Sequence, residues 1–225
     1  TSGPGGMNFV TSVGNCFYDS VPCLFITGQI KTKYMRPDES IRQIGFQETD
    51  IVSIVKPLAK YAKLVADPNS IKYELQKAIY LAKNGRPGPV FLDIPIDVQQ
   101  AEINPDELIG FDEELQEVCY NTKRIEQQID SFIEDLLKSK RPCLMVGGGV
   151  RLADAEKEIL ELGRILKAPC FPTWNALDII ASDFEYYGGR IGTYGGAGRN
   201  FGIQNSDLLL AIGSRISGRI TGGEP

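Results

Sequence analysis

Chemistry in this sequence can come from few places: four glycine clusters, a Gln-Glu pair, one lysine and two arginines. Gly3-Pro4-Gly5-Gly6 stands ahead of a segment with helical periodicity, so backbone N–H groups there can hold an anion or a polar ring edge, and the glycines let a ligand approach closely. A tight loop chosen for geometry satisfies the same spacing. Gly147-Gly148-Gly149 follows an apolar run and precedes a helical pattern, which is where nucleotide diphosphates dock in doubly wound sheets. Leu152 takes the place of the last glycine of G-x-G-x-x-G, so the spacing favours a ligand over a plain turn and names no particular cofactor. Gly192-Thr193-Tyr194-Gly195-Gly196-Ala197-Gly198-Arg199 is a further glycine-rich loop, and Gly213-Ser214-Arg215 follows the last apolar run. Two glycine turns at strand ends, with Arg215 and Arg219, suit an anionic dinucleotide; solvated arginines on a loop are the alternative.

Gln47-Glu48 can set a carboxylate near a ligand, although an acidic residue stabilising the first turn of a helix explains Glu48 better. Lys60 is either a substrate-facing cation or an ordinary surface lysine. Trp174 reads as core packing unless it lines a flat cofactor. The 225 residues contain no histidine, which excludes, within this chain, Ser-His-Asp triads, histidine-ligated zinc and H-E-x-x-H helices. Cys16, Cys23, Cys119, Cys143 and Cys170 are scattered and odd in number, without C-x-x-C spacing, so reduced thiols packed as small hydrophobes are expected and no metal site is indicated.

The elements that must position these groups follow from periodicity. Helical spacing covers residues 7–20, 48–56, 68–83, 122–138 and 153–166; short apolar runs at 22–27, 61–65, 89–93, 142–146 and 207–212, with another after Pro169, read as strands. Alternation of the two predicts an α/β fold with doubly wound parallel sheets. Residues 96–122 are polar and aperiodic, and read as a linker between two open α/β domains. An excess of 29 acidic over 24 basic residues, net charge −5, with no basic block, argues against nucleic acid and anionic membrane surfaces as partners. The apolar runs fall far short of the roughly 20 residues that span a bilayer, and no signal-peptide pattern leads the chain, so a cytoplasmic location is expected. The first six residues already form a turn that normally follows a strand, and T-G-G-E-P follows a buried-strand pattern closely, so a piece of a longer polypeptide is expected.

T-S-G-P-G-G-M-N at 1–8, D-S-V-P at 19–22, I-T-G-Q at 26–29, F-Q-E-T at 46–49, G-R-P-G-P-V-x-x-D-x-P at 85–95 and V-G-G-G at 146–149 stand in the order of one family. Over nearly its whole length the chain resembles the large subunits of thiamine-diphosphate-dependent acetolactate (acetohydroxyacid) synthases and their relatives. The resemblance implies three α/β domains in the full enzyme. This chain then supplies the C-terminal half of the pyrimidine-binding domain (1–96), a linker (97–122) and a central, FAD-binding-like domain (123–225), the last incomplete.

By resemblance, Pro4, Gly5 and Asn8 lie at the thiamine pyrimidine ring of a partner subunit's cofactor, and Phe46, Gln47 and Lys60 line the substrate entrance. Arg86, Gly147, Gly148, Gly149, Thr173, Gly192, Thr193, Tyr194, Gly213, Ser214, Arg215, Arg219 and Ile220 match contacts of a bound FAD that takes no net redox part. The implied reaction decarboxylates pyruvate and joins the two-carbon unit to a second 2-oxo acid, in a homodimer or homotetramer. The cofactor carries the hard step while protein supplies position and electrostatics. The family's catalytic glutamate and its Mg²⁺ motif lie outside these 225 residues, so no catalytic residue is assigned here and Glu48 is no substitute. Met7 stands where the family has threonine, Ser40–Gly45 replaces a Gly-Thr-Asp-Ala stretch, Tyr61 and Tyr194 replace histidines, and Ser217-Gly218 replaces two aspartates. Such departures would suit a divergent carboligase, for instance one acting on a nucleotide-linked keto sugar. A dinucleotide-binding module without chemistry is the other alternative.

Overall fold

The computed structural model describes residues 1–113 and 120–221, and the chain divides into two compact units, Thr1–Cys119 and Tyr120–Pro225. Cys119 and the closing G-G-E-P lie outside the described residues.

The first unit runs α1 (Phe9–Asp19), β1 (Cys23–Gln29), α2 (Ile51–Val55), β2 (Tyr61–Leu64), α3 (Ile71–Lys83), β3 (Pro89–Pro95) and α4 (Ile96–Gln99). Its three strands pair in parallel in the order β1-β3-β2. Because side chains alternate across a strand, consecutive residues of β3 serve opposite faces. Phe91 joins Val13, Phe25, Ile51 and Val55 under α1 and α2, whereas Val90 and Leu92 join Val65, Ala78 and Ala82 under α3. Apart from Asp93 the strand is apolar, because it is buried on both sides.

The second unit repeats the plan with α5 (Thr122–Lys138), β4 (Pro142–Val146), α6 (Gly149–Leu152), α7 (Glu156–Leu166), β5 (Cys170–Pro172), α8 (Ala197–Gln204), β6 (Leu208–Ile212) and α9 (Gly218–Thr221). The order is β5-β4-β6, again parallel. Leu144 and Val146 pack with Ile159 of α7 on one face; Cys143 and Met145 pack with Phe171, Ile191 and Ile203 on the other. The expected doubly wound α/β class therefore describes both units.

Several boundaries differ from the periodicity, each for a local reason. Residues 3–8 form a 3-10 turn ahead of α1, with Pro4 in its first turn, where the missing N–H costs nothing. The helix expected over 48–56 is only α2, capped by Asp50, whose carboxylate accepts from Ser53 N at 3.1 Å. Glu48 is thus not in the first turn. The helix expected over 153–166 begins at Glu156, because Asp154 takes a left-handed conformation (φ 51°) that closes α6. The glycine-rich stretch after residue 188 leads into α8, which its two glycines conceal from a propensity reading. In the segment read as a linker, the Phe111 ring packs on Tyr73 and Tyr80 of α3, with centroids 5.5 and 5.4 Å away, and Phe111 N donates to Gln76 Oε1 at 2.8 Å.

Candidate functional site

The carboxyl edge of the first sheet gathers the turn at residues 1–8 and the F-Q-E-T motif. Thr1 and Ser2 dock on the end of β1, where Gly28 N donates to Thr1 O at 2.8 Å. Gly3 adopts φ +57°, and a Cβ there would land on the carbonyl oxygen of Gln47. Gln47 is itself left-handed (φ 68°), a conformation rare for a residue with a side chain and concentrated at ligand sites. The turn that holds Pro4, Gly5 and Asn8 is therefore in backbone contact with Gln47. Asn8 Nδ2 closes it by donating to Gly5 O at 3.2 Å. Phe46 projects beside it, 85% exposed.

Beneath this surface lies a buried polar network. The Asp93 carboxylate accepts from Thr27 Oγ1 at 2.7 Å and from Gln29 Nε2 at 2.9 Å, and the same Gln29 Nε2 donates to Thr49 O at 2.7 Å. Burial pushes the Asp93 carboxyl above the ordinary carboxylate range, against the opposing pull of those two hydrogen bonds. A cavity of about 190 Å³ opens here, lined by Gln29, Arg36, Glu48, Asp50 and Asp93 among others, at the strand ends where open α/β sheets take ligands.

Lys60 is elsewhere. It precedes β2 at the amino edge of the sheet, with Lys60 N on Pro89 O and its ammonium donating to Asn84 O at 2.6 Å. Lys60 and the Gln47–Thr49 segment therefore sit toward opposite ends of β3, about 20 Å of strand apart. Burial lowers the Lys60 ammonium below its usual pKa. Arg86, in the same amino-edge region, donates from Nε to Ser20 Oγ at 2.8 Å.

The second unit builds its carboxyl edge differently. The turns after β4 and β6 touch backbone to backbone: Gly147 N donates to Ile212 O at 2.8 Å and Gly149 N to Gly213 O at 3.0 Å. A Cβ on Gly147 would land on the Gly213 carbonyl, so this glycine is required by packing whether or not a ligand is bound. Thr173, buried at the end of β5, donates from its N–H to Val146 O at 2.8 Å. Thr193 reaches Arg219 O with its N–H (2.8 Å) and hydroxyl (3.1 Å), and Asn200 brackets Gly192 with bonds of 3.0 and 2.9 Å.

Trp174 is not core: it is 45% exposed, its ring lies 5.6 Å from that of Tyr194, and the Arg219 guanidinium sits 5.3 Å over it. An aromatic and cationic platform thus stands above the glycine turns. Ser214 Oγ accepts from Ile216 N at 3.3 Å, Arg215 lies on the same loop, and the Ile220 side chain packs into the core against Cys143, Met145, Phe171 and Ile191.

Known sequences match this division. Residues 1–54 match the N-terminal TPP binding domain of thiamine pyrophosphate enzymes, and residues 129–225 match their central domain. The chain belongs to the thiamine pyrophosphate enzymes. Acetolactate synthase large subunits from Cyanidium caldarium and Corynebacterium glutamicum are 36% and 37% identical to it over 99% of its length, and the Escherichia coli isozyme 2 large subunit is 34% identical. The chain spans 37%, 34% and 38% of those three relatives.

Within this member of the thiamine pyrophosphate enzyme family, the residues expected from the sequence form two groups, one at each carboxyl edge, and leave Lys60 and Arg86 outside the first. Periodicity and spacing missed Asp93 and Gln29 as site-supporting residues; both lie in quoted motifs, but only the fold brings them within reach of Thr49. Among the described residues Cys16, Cys23, Cys143 and Cys170 are free thiols, no group of histidine, cysteine and acidic side chains can hold a metal, and no helix is long and apolar enough to cross a membrane.

Proposed function

We propose that this chain is part of an acetolactate-forming carboligase that decarboxylates pyruvate and transfers the two-carbon unit to a second 2-oxo acid. The observation that carries the proposal is the contact between the 1–8 turn and Gln47: the segment that matches the N-terminal TPP binding domain holds its glycine turn directly against a left-handed glutamine. The names of the relatives support the reaction, and do not favour transfer to a nucleotide-linked keto sugar or a module without chemistry.

Thiamine diphosphate would supply the carbanion-stabilising chemistry when bound. The tight turn at Pro4, Gly5 and Asn8 fits the edge of its pyrimidine ring. Phe46 shields the entrance from water, and Gln47 offers an amide to the carboxylate or carbonyl of a 2-oxo acid. Mg²⁺ would be held by residues beyond these, as the resemblance implies. FAD fits the second edge: the turns at Gly147–Gly149 and Gly213–Arg215 leave backbone close to a diphosphate, and Trp174, Tyr194 and Arg219 offer a flat, cationic wall to a ring. The separation of Lys60 from Gln47 supports a homodimer or homotetramer, in which a neighbouring subunit completes the entrance. A cytoplasmic location is part of the same proposal, in keeping with the acidic composition.

The test is product analysis on the full-length protein given pyruvate alone, with thiamine diphosphate, Mg²⁺ and FAD. Acetolactate is expected. Carbon dioxide release without acetolactate, or release that requires a sugar acceptor, would refute the proposal. The 225 residues expressed alone are expected to turn over no pyruvate.

A further inference from the structure

The loop between β1 and α2 is long, carries no strand, and yet is ordered around a single side chain. Glu48 is 8% exposed. Its Oε1 accepts from Arg36 N at 2.6 Å and its Oε2 from Ile44 N at 2.9 Å, so one carboxylate joins two points of the loop eight residues apart. Backbone bonds complete the knot: Glu48 O accepts from Gln43 Nε2 at 3.0 Å, and Glu48 N donates to Gly45 O at 3.1 Å. The Arg36 guanidinium turns away, to Ile41 O at 3.2 Å and Asp50 at 3.7 Å, so the two amides are the carboxylate's hydrogen-bond partners. Residues on either side are pinned independently, Gln47 by Gly3 and Thr49 by Gln29.

We infer that Glu48 is a positioning residue, whose carboxylate clasps the 31–45 loop into a fixed wall and so holds Phe46 and Gln47 at the entrance for a 2-oxo acid. The inference rests on the carboligase reading. It does not make Glu48 a proton carrier: both of its oxygens are occupied by N–H donors, and it acts through the loop. The wall it fixes exposes Tyr34, Ile41 and Ile44, which gives the clasp a direct bearing on which acceptor enters.

Glu48→Gln keeps the shape and removes one acceptor, because its amide NH₂ must face an N–H donor. In the full-length protein it is expected to raise the pyruvate KM about tenfold with kcat reduced less than about threefold. Thiamine diphosphate affinity and melting temperature should stay near wild type, while hydrogen exchange accelerates at the Arg36 and Ile44 amides. Asp38→Ala, which removes only the two local turn bonds that Asp38 accepts from the N–H and hydroxyl of Ser40, should change none of these. Unchanged exchange and KM in Glu48→Gln would overturn the inference, as would a parallel loss of cofactor affinity and melting temperature, the signature of general unfolding. If the wild-type protein forms no acetolactate, the carboligase reading and the role at its entrance fail together, and the exchange data separately decide whether the clasp exists.

Discussion

The two carboxyl edges of this chain solve one problem by opposite means. Both must fix irregular loops at the ends of a three-stranded parallel sheet. In the first unit side chains do most of it: Glu48 collects two backbone donors, Asp93 a hydroxyl and an amide donor, and Gln29 links Asp93 to the Thr49 carbonyl. In the second, the absence of side chains does it, since Gly147 and Gly149 let the β4 turn lie directly on the β6 turn. A buried carboxylate fixes a loop at a distance and leaves neighbours such as Phe46 free to project. Glycine contact brings two backbones together and leaves a shallow floor under a platform such as Trp174 and Tyr194. The first arrangement suits contact with a reacting group; the second suits a large flat ligand.

If this contrast is right, the edges should break under different substitutions. The largest effect is expected for Gly147→Ala, whose Cβ has no space: urea unfolding should report a loss of about 3 kcal/mol confined to the second unit. A loss below about 1 kcal/mol would mean the β4 and β6 turns separate easily. Gly3→Ala, strained by its positive φ and blocked by Gln47, should cost about 2 kcal/mol in the first unit and displace Gln47, seen as a shifted Gln47 amide resonance. Trp174→Ala removes an exposed ring that packs at a tilt against Tyr194 and lies under the Arg219 guanidinium. Its stability cost should be only about 1 kcal/mol, while flavin fluorescence titration of the full-length protein reports weaker binding.

The smallest effect concerns pH. The Asp207 carboxylate accepts from the Ser139 hydroxyl first, then from Lys140 N (2.9 Å) and Arg141 N (2.8 Å), which holds its pKa down to about 2. A depressed folded pKa stabilises above the unfolded value, near 4, and that contribution disappears as pH falls through about 2. Asp207→Asn should therefore lower the second unit's stability slightly above about pH 4, where that contribution is present, and its deficit relative to wild type should shrink as pH falls toward about 2.

Much of this was legible in the sequence because it is periodic. The α5 pattern of Ile125, Ile129 and Ile133 marks the helix over 122–138, and the run Pro142–Val146 marks a strand buried on both faces. What periodicity missed depends on pairs remote in sequence or on backbone angles. Nothing local announces that Asp93 and Gln29, 64 residues apart, share a hydrogen bond, or that Glu48 serves Arg36 and Ile44 rather than a helix. The left-handed Gln47 was equally hidden, since no glycine or asparagine marks it. Of the two sequence readings of Trp174, core packing does not hold, because its ring is 45% exposed at the head of a single 3-10 turn too short to show which face is buried.

The central claim is that the first edge serves the reaction and the second a flat cofactor. One crossed measurement tests it most directly: acetolactate turnover and flavin affinity measured side by side in full-length Glu48→Gln and Trp174→Ala proteins, with flavin at saturation for turnover. Glu48→Gln is expected to weaken pyruvate use with flavin affinity unchanged, and Trp174→Ala to weaken flavin with saturated turnover preserved. Equal damage to both properties by either substitution would contradict the account.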